Sequence, residues 1–325
     1  MDAATETQQQ SQQQSTPFLL PPQVRNARGE VRKAGFELEY SGISLNLSAT
    51  LVRTVFGGEH VARTTFVHRV RDTRVGNFSV EIDTRVLKDK TYEQPLRAIG
   101  LDPAKLTGRW LEEALLTTFA TVVPTEIGAP PIPITDLAPL DELRRLLRKF
   151  GAKGTRVSLL YAFGMHINPE IPSEDPGQLR DFLRAFILLY PRLKERTEVD
   201  FTRRISPYIN PFPAAYERLI LGPDYPADTG RLIDDYIAYN PTRNRPLDML
   251  PVLAHLDEQR VMYRVQDPDL VKGRPAFHYR LPNCMVDEPD WTLAREWNTW
   301  VEVERLAADA DRLASMSRDF LKKNP

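Results

Sequence analysis

Four short segments of this sequence carry acidic, imidazole and guanidinium side chains within patterns that are typical of β-strands. They are residues 35–39 (GFELE), 125–131 (TEIGAPP), 164–168 (GMHIN) and 277–283 (FHYRLPN). Carboxylates and imidazoles bind divalent metal ions, and a guanidinium group binds phosphate. If the four strands belong to one sheet, a single face could gather this chemistry.

The first segment predicts a strand over residues 31–40 in which the even-numbered residues from Phe36 are apolar and share one face. Glu37 and Glu39 then lie on the other face, about 6.6 Å apart, and repel each other by roughly 2.5 kcal/mol at an effective dielectric constant of 20. A solvated sheet face tolerates such a pair, whereas a cleft requires a cation. If they bind metal, replacing either by Gln should leave the metal-free melting temperature unchanged or higher.

Two further candidate ligands are single residues in otherwise apolar strands. Glu126 lies in a stretch that ends in prolines, so it is either exposed to solvent or paired with a cation. His166 lies at the end of a predicted strand over residues 156–167. A histidine there is commonly a hydrogen-bonded structural residue, but the neighbouring Gly164 would let a ligand approach closely.

A predicted hairpin adds two more carboxylates. Its strands cover residues 61–70 and 75–83 and join near Asp72, which places Glu81 and Asp83 on a polar face that is either wet or part of the site. Helical patterns follow at residues 109–122, 136–150, 179–198 and 290–320, with Pro191 kinking or dividing the third helix.

Composition limits the class of protein. The 325 residues include 43 Lys and Arg against 44 acidic residues, so no positive field favours nucleic acid or an anionic membrane as a partner. No apolar run could span a bilayer and no secretion signal is visible, which predicts a cytoplasmic protein. The single cysteine, Cys284, leaves oxygen and nitrogen ligands for any metal. We expect a Gln-rich tail and lead-in over residues 1–28, disordered over about the first 16 residues and extended from Pro17 to Arg28, and one domain over residues 29–325.

The order of the four motifs resembles the amidoligase family, the carboxylate-amine ligases with the fold of glutamine synthetase and glutamate-cysteine ligase. The resemblance rests on Gly-x-Glu-x-Glu at 35–39, Glu126 before a small-Pro-Pro turn, Gly-Met-His at 164–166, and a strand with Arg280 that precedes a long helix. It extends over roughly residues 30–310.

The resemblance implies an α+β fold, a curved antiparallel sheet flanked by helices, which binds ATP and a divalent metal, Mg²⁺ or Mn²⁺. It implies metal ligation by Glu37, Glu39, Glu126 and His166, with His166 also near phosphate, and a contact between Arg280 and the transferred phosphate. The implied reaction phosphorylates a carboxylate with ATP, and an amine then displaces phosphate from the acyl phosphate to give an amide or peptide.

Other residues complete this expected site. Arg243 and Arg245, in a proline-rich stretch over residues 207–251, are candidates for contact with ATP phosphate or a substrate carboxylate. Asp83 is the first candidate for the base that deprotonates the amine. Small-molecule or peptide acids and amines are the expected substrates, and an amidotransferase-type enzyme is a candidate partner.

The sequence departs from the family pattern at two positions. The last family motif reads Glu-Phe-Arg, whereas this chain has His278, Tyr279 and Arg280, so an imidazole replaces a carboxylate ligand. If His278 binds metal, Mn²⁺ should support activity better than Mg²⁺, and activity should fall below about pH 6.5. Asn168 stands where relatives often have a second histidine. A catalytically silent relative that binds nucleotide or acts as a scaffold is therefore an alternative, and metal-dependent amide hydrolysis is a third.

Overall fold

One antiparallel sheet organises the described part of the protein. The computed structural model describes residues 17–82, 125–155, 163–196 and 209–324. In these ranges nine strands pair in the order β2-β3-β4-β5-β1-β7-β9-β8, and β6 pairs with β1. The strands are β1 (Lys33–Tyr40), β2 (Glu59–Thr64), β3 (Val67–Thr73), β4 (Gly76–Ile82), β5 (Thr125–Gly128), β6 (Ile132–Pro133), β7 (Met165–Pro169), β8 (Leu247–Asp248) and β9 (His278–Tyr279).

Helices flank this sheet. They are α1 (Leu45–Phe56), α2 (Ala138–Lys149), α3 (Pro176–Arg196), α4 (Ala214–Leu221), α5 (Thr229–Tyr239), α6 (Leu250–Leu256), α7 (Glu258–Met262), α8 (Leu293–Ala307) and α9 (Ala310–Lys323). Helix α1 packs on β3 and β4, and α8 packs on α3. The antiparallel sheet with flanking helices confirms the coarse prediction of a mixed α and β protein. The likeness to glutamine synthetase and the curvature of the sheet stay predictions.

The two faces of the sheet differ in polarity. Phe36, Leu38 and Tyr40 of β1 are each at most 1% exposed and pack with apolar residues of the neighbouring strands and the helices. Because side chains alternate along a strand, Glu37 and Glu39 face the opposite side. The alternation predicted for β1 is therefore confirmed, and it separates the core from the candidate site.

A buried ion pair fixes the start of β1 against α8. The Arg32 guanidinium donates to both Glu304 carboxylate oxygens, at 2.7 and 2.9 Å, and Trp300 Nε1 also donates to Glu304. Arg32 donates further to the backbone oxygens of Gln23 and Glu170. Both charged side chains are at most 2% exposed. This contact holds the central strand, the N-terminal lead-in and α8 in one arrangement.

Several predicted elements need correction. The predicted strand over residues 61–70 is two strands, β2 and β3, because a turn at Thr65 and Phe66 interrupts it. The predicted helix over residues 290–320 is two helices, since Asp309 breaks the run and caps α9 by accepting from the backbone N–H of Arg312. Helix α3 in contrast continues through Pro191.

Some predictions fall outside the described residues. These are the tail over residues 1–16, the helix at 109–122, Asp83, and most of the strand that we placed at 156–167. The part of that strand that is described, β7, begins at Met165, so His166 lies near its start and not at its end. Among the described helices, none is long and apolar enough to cross a membrane.

Candidate functional site

Strand register gathers the predicted site residues in rows across the polar face of the sheet. Glu37 of β1 lies opposite His166 of β7, and Glu39 lies opposite Glu126 of β5. Glu126 in turn lies opposite Glu81 of β4. Directly opposed residues have Cβ atoms about 5 Å apart and point to the same side. One row thus carries a carboxylate and an imidazole, and the next row carries three carboxylates.

Glu37 is the centre of the site. Its Oε2 accepts a hydrogen bond from His166 Nδ1 at 2.8 Å, and its Oε1 accepts one from Asn168 Nδ2 at 2.9 Å. Burial acts to raise the pKa of Glu37, but the His166 hydrogen bond and the nearby Arg274 outweigh it and hold the pKa well below its usual value. Glu37 is therefore an anion at any pH at which the protein would work.

His278 completes a group of three potential metal ligands with Glu37 and His166. One ligand atom from each residue lies within 4.8 Å of the others. His278 Nε2 is 4.0 Å from Glu37 Oε2 and is buried without a hydrogen-bond partner. Burial lowers the pKa of His278 well below its usual value, so its imidazole is neutral, as metal ligation requires.

The distance between Glu37 and His278 suits a shared metal ion. Two ligand atoms that each lie about 2.1 Å from one ion are separated by about 3 to 4.2 Å, depending on the angle at the ion. The 4.0 Å gap between Glu37 and His278 falls in this range. A donor set of one carboxylate and two imidazoles suits Mn²⁺ or Zn²⁺ better than Mg²⁺, which prefers oxygen.

Glu39 offers a second position beside the same histidine. Its Oε2 accepts from the backbone N–H of Gly164 at 2.7 Å, and its Oε1 lies 4.0 Å from His166 Nε2. Since His166 donates its Nδ1 proton to the Glu37 anion, its neutral form has a free lone pair on Nε2. His166 can therefore ligate an ion held with Glu39 while Glu37 orients the ring.

A cleft of about 580 Å³ opens over the polar face next to these residues. Glu37, Glu126, Asn168 and Arg274 line it, together with small residues on its floor. Gly128 is one of these, and a Cβ there would lie 2.4 Å from Ser79 Oγ, so only glycine leaves the floor undisturbed. The cleft has the size of a small-molecule site and contains both charge signs.

Arg280, Arg243 and Asp248 form a cluster at the β8 edge, next to His278. Arg280 Nη1 donates to the backbone oxygen of Arg243 at 2.8 Å, and Arg243 Nε lies 3.9 Å from Asp248 Oδ2. Asp248 lies opposite His278 in the sheet. Burial raises the pKa of Asp248 to about 6 although both arginines act to lower it. Arg280 thus lies close enough to His278 to act on its imidazole, and neither Arg280 nor Arg243 lines the cleft described above.

Arg245 has a different environment from the other predicted arginines. Its guanidinium donates to the backbone oxygens of Asn210, Pro211 and Tyr239 and lies over the Phe212 ring. These contacts favour a role in fixing the loop before β8 over contact with a nucleotide.

Sequence reasoning missed Arg274 and the hydrogen bonds of Asn168. Arg274 Nη2 donates to Asn168 Oδ1 at 2.7 Å and to His278 Nδ1 at 3.2 Å. The period of two in β7, which places residues 166 and 168 on one face, could have indicated Asn168. Arg274 lies outside any strand, and no local pattern points to it.

The fold and site define an α and β protein with a candidate metal centre and a substrate-sized cleft on one face of an antiparallel sheet. A family model described as "Putative amidoligase enzyme" matches residues 30–302. The chain therefore belongs to the amidoligase family, as its motifs predicted. Comparison with curated proteins and with solved structures found no match.

Proposed function

We propose that the protein is an ATP- and divalent-metal-dependent ligase that joins a carboxylate to an amine. The observation that supports this most directly is the grouping of Glu37, His166 and His278, whose potential ligand atoms lie within 4.8 Å of one another beside the cleft, in a chain of the amidoligase family. Glu39 and Glu126 extend the acidic surface along the sheet. Several acidic side chains on rigid strands would bind the divalent cations that neutralise a triphosphate.

The chemistry explains why ATP is needed. A carboxylate is a poor electrophile, and transfer of the terminal phosphate of ATP to it gives an acyl phosphate with a good leaving group. An amine then attacks the acyl carbon, phosphate departs, and the amine loses a proton to a base. A bound divalent metal would supply charge neutralisation for the phosphates. Asp83 stays the proposed base.

The arginines would act on the developing charge. Arg280 presents a planar set of donors that suits phosphoryl oxygens, and its electrostatic influence reaches both His278 and Asp248. Arg243, whose side chain is 29% exposed, is the more accessible of the pair for a nucleotide phosphate. Arg245 is the weaker proposal because its donors already bond to backbone oxygens.

A catalytically silent relative is the second candidate, and one observation favours it. Both oxygens of Glu37 accept hydrogen bonds from neighbouring side chains, and Arg274 bonds to His278. The group is thus held together by its own contacts. Such a protein would bind nucleotide or a partner without turnover.

Product analysis separates the candidates. The protein is incubated with ATP, Mn²⁺ or Mg²⁺ and a mixture of amino acids, with and without added amines, and ADP and amide products are measured. A ligase releases ADP only when metal, acid and amine are all present. Glu37→Gln should abolish this release, whereas Glu30→Gln, at a cleft-lining position with a 62% exposed side chain, should retain most of it.

The opposite results are equally informative. Nucleotide binding without ADP release under every condition would support the silent relative. Metal-dependent breakdown of amides without ATP would support a hydrolase. Either result would reject the ligase.

A further inference from the structure

Arg274 makes an unusual contact for a residue beside a candidate metal ligand. One nitrogen of its guanidinium, Nη2, donates both to Asn168 Oδ1 at 2.7 Å and to His278 Nδ1 at 3.2 Å. Its Nε is buried and has no hydrogen-bond partner. The side chain also lines the cleft. Arg274 therefore joins the candidate metal group to the space where substrate would bind.

The contact fixes the position of the proton on His278. A guanidinium group has only donors, so Nδ1 must be the acceptor. The neutral imidazole then carries its proton on Nε2, the nitrogen that faces Glu37 Oε2 at 4.0 Å. A protonated nitrogen does not ligate a metal. His278 is thus held in the tautomer that cannot bind an ion at Nε2, whereas His166 is held in the tautomer that can.

Ligation by His278 Nε2 therefore requires a change at Arg274. The imidazole proton must leave Nε2 for solvent and a proton must occupy Nδ1, with no change in net protonation. Nδ1–H and the Arg274 N–H would then be two donors facing each other, so their hydrogen bond is lost. The guanidinium keeps Asn168 as a partner, but it has one free N–H on Nη2 in addition to the unpartnered Nε.

We propose that metal binding at His278 releases Arg274 to bind an oxyanion of the substrate in the cleft, so that metal and anion bind with positive coupling. This inference rests on the proposed function, because it concerns the same metal group. The ligand class is a carboxylate or phosphate group, since both accept the paired donors of a guanidinium. Arg274 is then a substrate-binding residue whose availability depends on the metal.

The expected size of the effect follows from typical coupling between two sites. A coupling of about tenfold is ordinary for ligands that share one rearranging side chain, and the two ligands must strengthen each other by the same factor. Saturating anion should therefore tighten Mn²⁺ binding about tenfold, and saturating Mn²⁺ should tighten anion binding equally. Removing Arg274 should tighten Mn²⁺ binding in the absence of anion and abolish the coupling.

Calorimetric titration of Mn²⁺ tests this in the full-length protein, with inorganic phosphate in one arm and acetate in the other. Arg274→Met removes the donors at similar length, and Arg274→Lys keeps the charge without the planar fork. Arg28→Ala is the matched control, because Arg28 also lines the cleft but pairs with Glu30 and Glu170 and makes no contact with His278. The arm that shows coupling identifies the anion.

The metal-free protein provides a second readout. With ¹⁵N-labelled histidine, long-range nitrogen–proton spectra should show the Nε2–H tautomer for His278 in the parent and a shift towards Nδ1–H in Arg274→Met. The spectrum of the parent tests the tautomer of His278 even if a variant is poorly folded.

Three results would overturn the proposal. These are an Nδ1–H tautomer for His278 in the metal-free parent, the absence of coupling with both anions, and equal coupling in parent and Arg274→Met. Equal coupling would reject this inference alone and leave the proposed metal site intact. Failure of Mn²⁺ to bind the parent and every variant would instead reject the proposed function, and the inference with it.

Discussion

Replacing Glu37 by Gln should destabilise the metal-free protein. The sequence alone suggested the reverse, because Glu37 and Glu39 share a face and repel each other. In the structure, however, Glu37 accepts hydrogen bonds from His166 and Asn168, and its pKa is held well below its usual value. The anion is thus stabilised by its surroundings.

The size of the loss follows from these contacts. A Gln side chain has one acceptor oxygen and one donor nitrogen, so it can accept only one of the two hydrogen bonds and opposes a donor at the other. Loss of one hydrogen bond to a charged group costs about 2 kcal/mol. With an unfolding entropy of about 2 cal/mol/K per residue over a domain of about 300 residues, the melting temperature should fall by about 3 °C.

Differential scanning calorimetry at neutral pH without metal measures this change. A double-mutant cycle with Asn168→Ala should give a coupling of about 1 kcal/mol, since the two residues share one of the bonds. The exposed Glu30→Gln should change stability by less than about 0.5 kcal/mol. A metal-free melting temperature in Glu37→Gln that equals or exceeds that of the parent would refute the reasoning and restore the repulsion argument.

The remaining predictions concern the ion pair, the β8 edge and the last motif. Glu304→Gln should lower the free energy of unfolding, measured by urea denaturation, by about 3–5 kcal/mol, because it leaves the buried charge of Arg32 unpaired. Glu302→Gln on the same helix should have little effect, and a small loss in both variants would contradict this prediction. Since the folded pKa of Asp248 is raised from 3.8 to about 6, the folded state binds more protons than the unfolded chain between these values, and stability should fall by about 2 kcal/mol as pH rises from 4 to 6. Asp248→Asn should remove this fall, and an unchanged pH profile would argue against the burial of this charge. His278→Glu should shift the metal preference of activity from Mn²⁺ towards Mg²⁺. Activity of the parent should persist below pH 6.5 because burial lowers the pKa of His278, and a loss of activity centred on pH 6.5 that disappears in His278→Glu would contradict this pH prediction. Arg280→Lys should lower turnover at least tenfold, about 1.4 kcal/mol, with a smaller change in ATP affinity, and a change in melting temperature alone would indicate a structural role.

The sequence by itself determined the elements whose side-chain pattern is local. Alternation in β1 separated Phe36 and Leu38 from Glu37 and Glu39, and the family resemblance followed from the order of short motifs. Breaks in a pattern were harder to predict. The run over residues 290–320 stays apolar enough for one helix, but the first helix ends at Ala307 and the side chain of Asp309 caps the start of α9.

Tertiary structure alone decided which side chains meet and in what chemical state. Register set Glu37 opposite His166 and Glu39 opposite Glu126, and no sequence pattern contains that register because it depends on how strands far apart in the chain pair. Arg274 contacts His278 from a segment without periodicity, and this contact favours the tautomer with the imidazole proton on Nε2. Residue types thus predicted the kind of chemistry. Hydrogen bonds and burial, which exist only in the folded chain, determine the charge of Glu37 and the tautomer of each histidine.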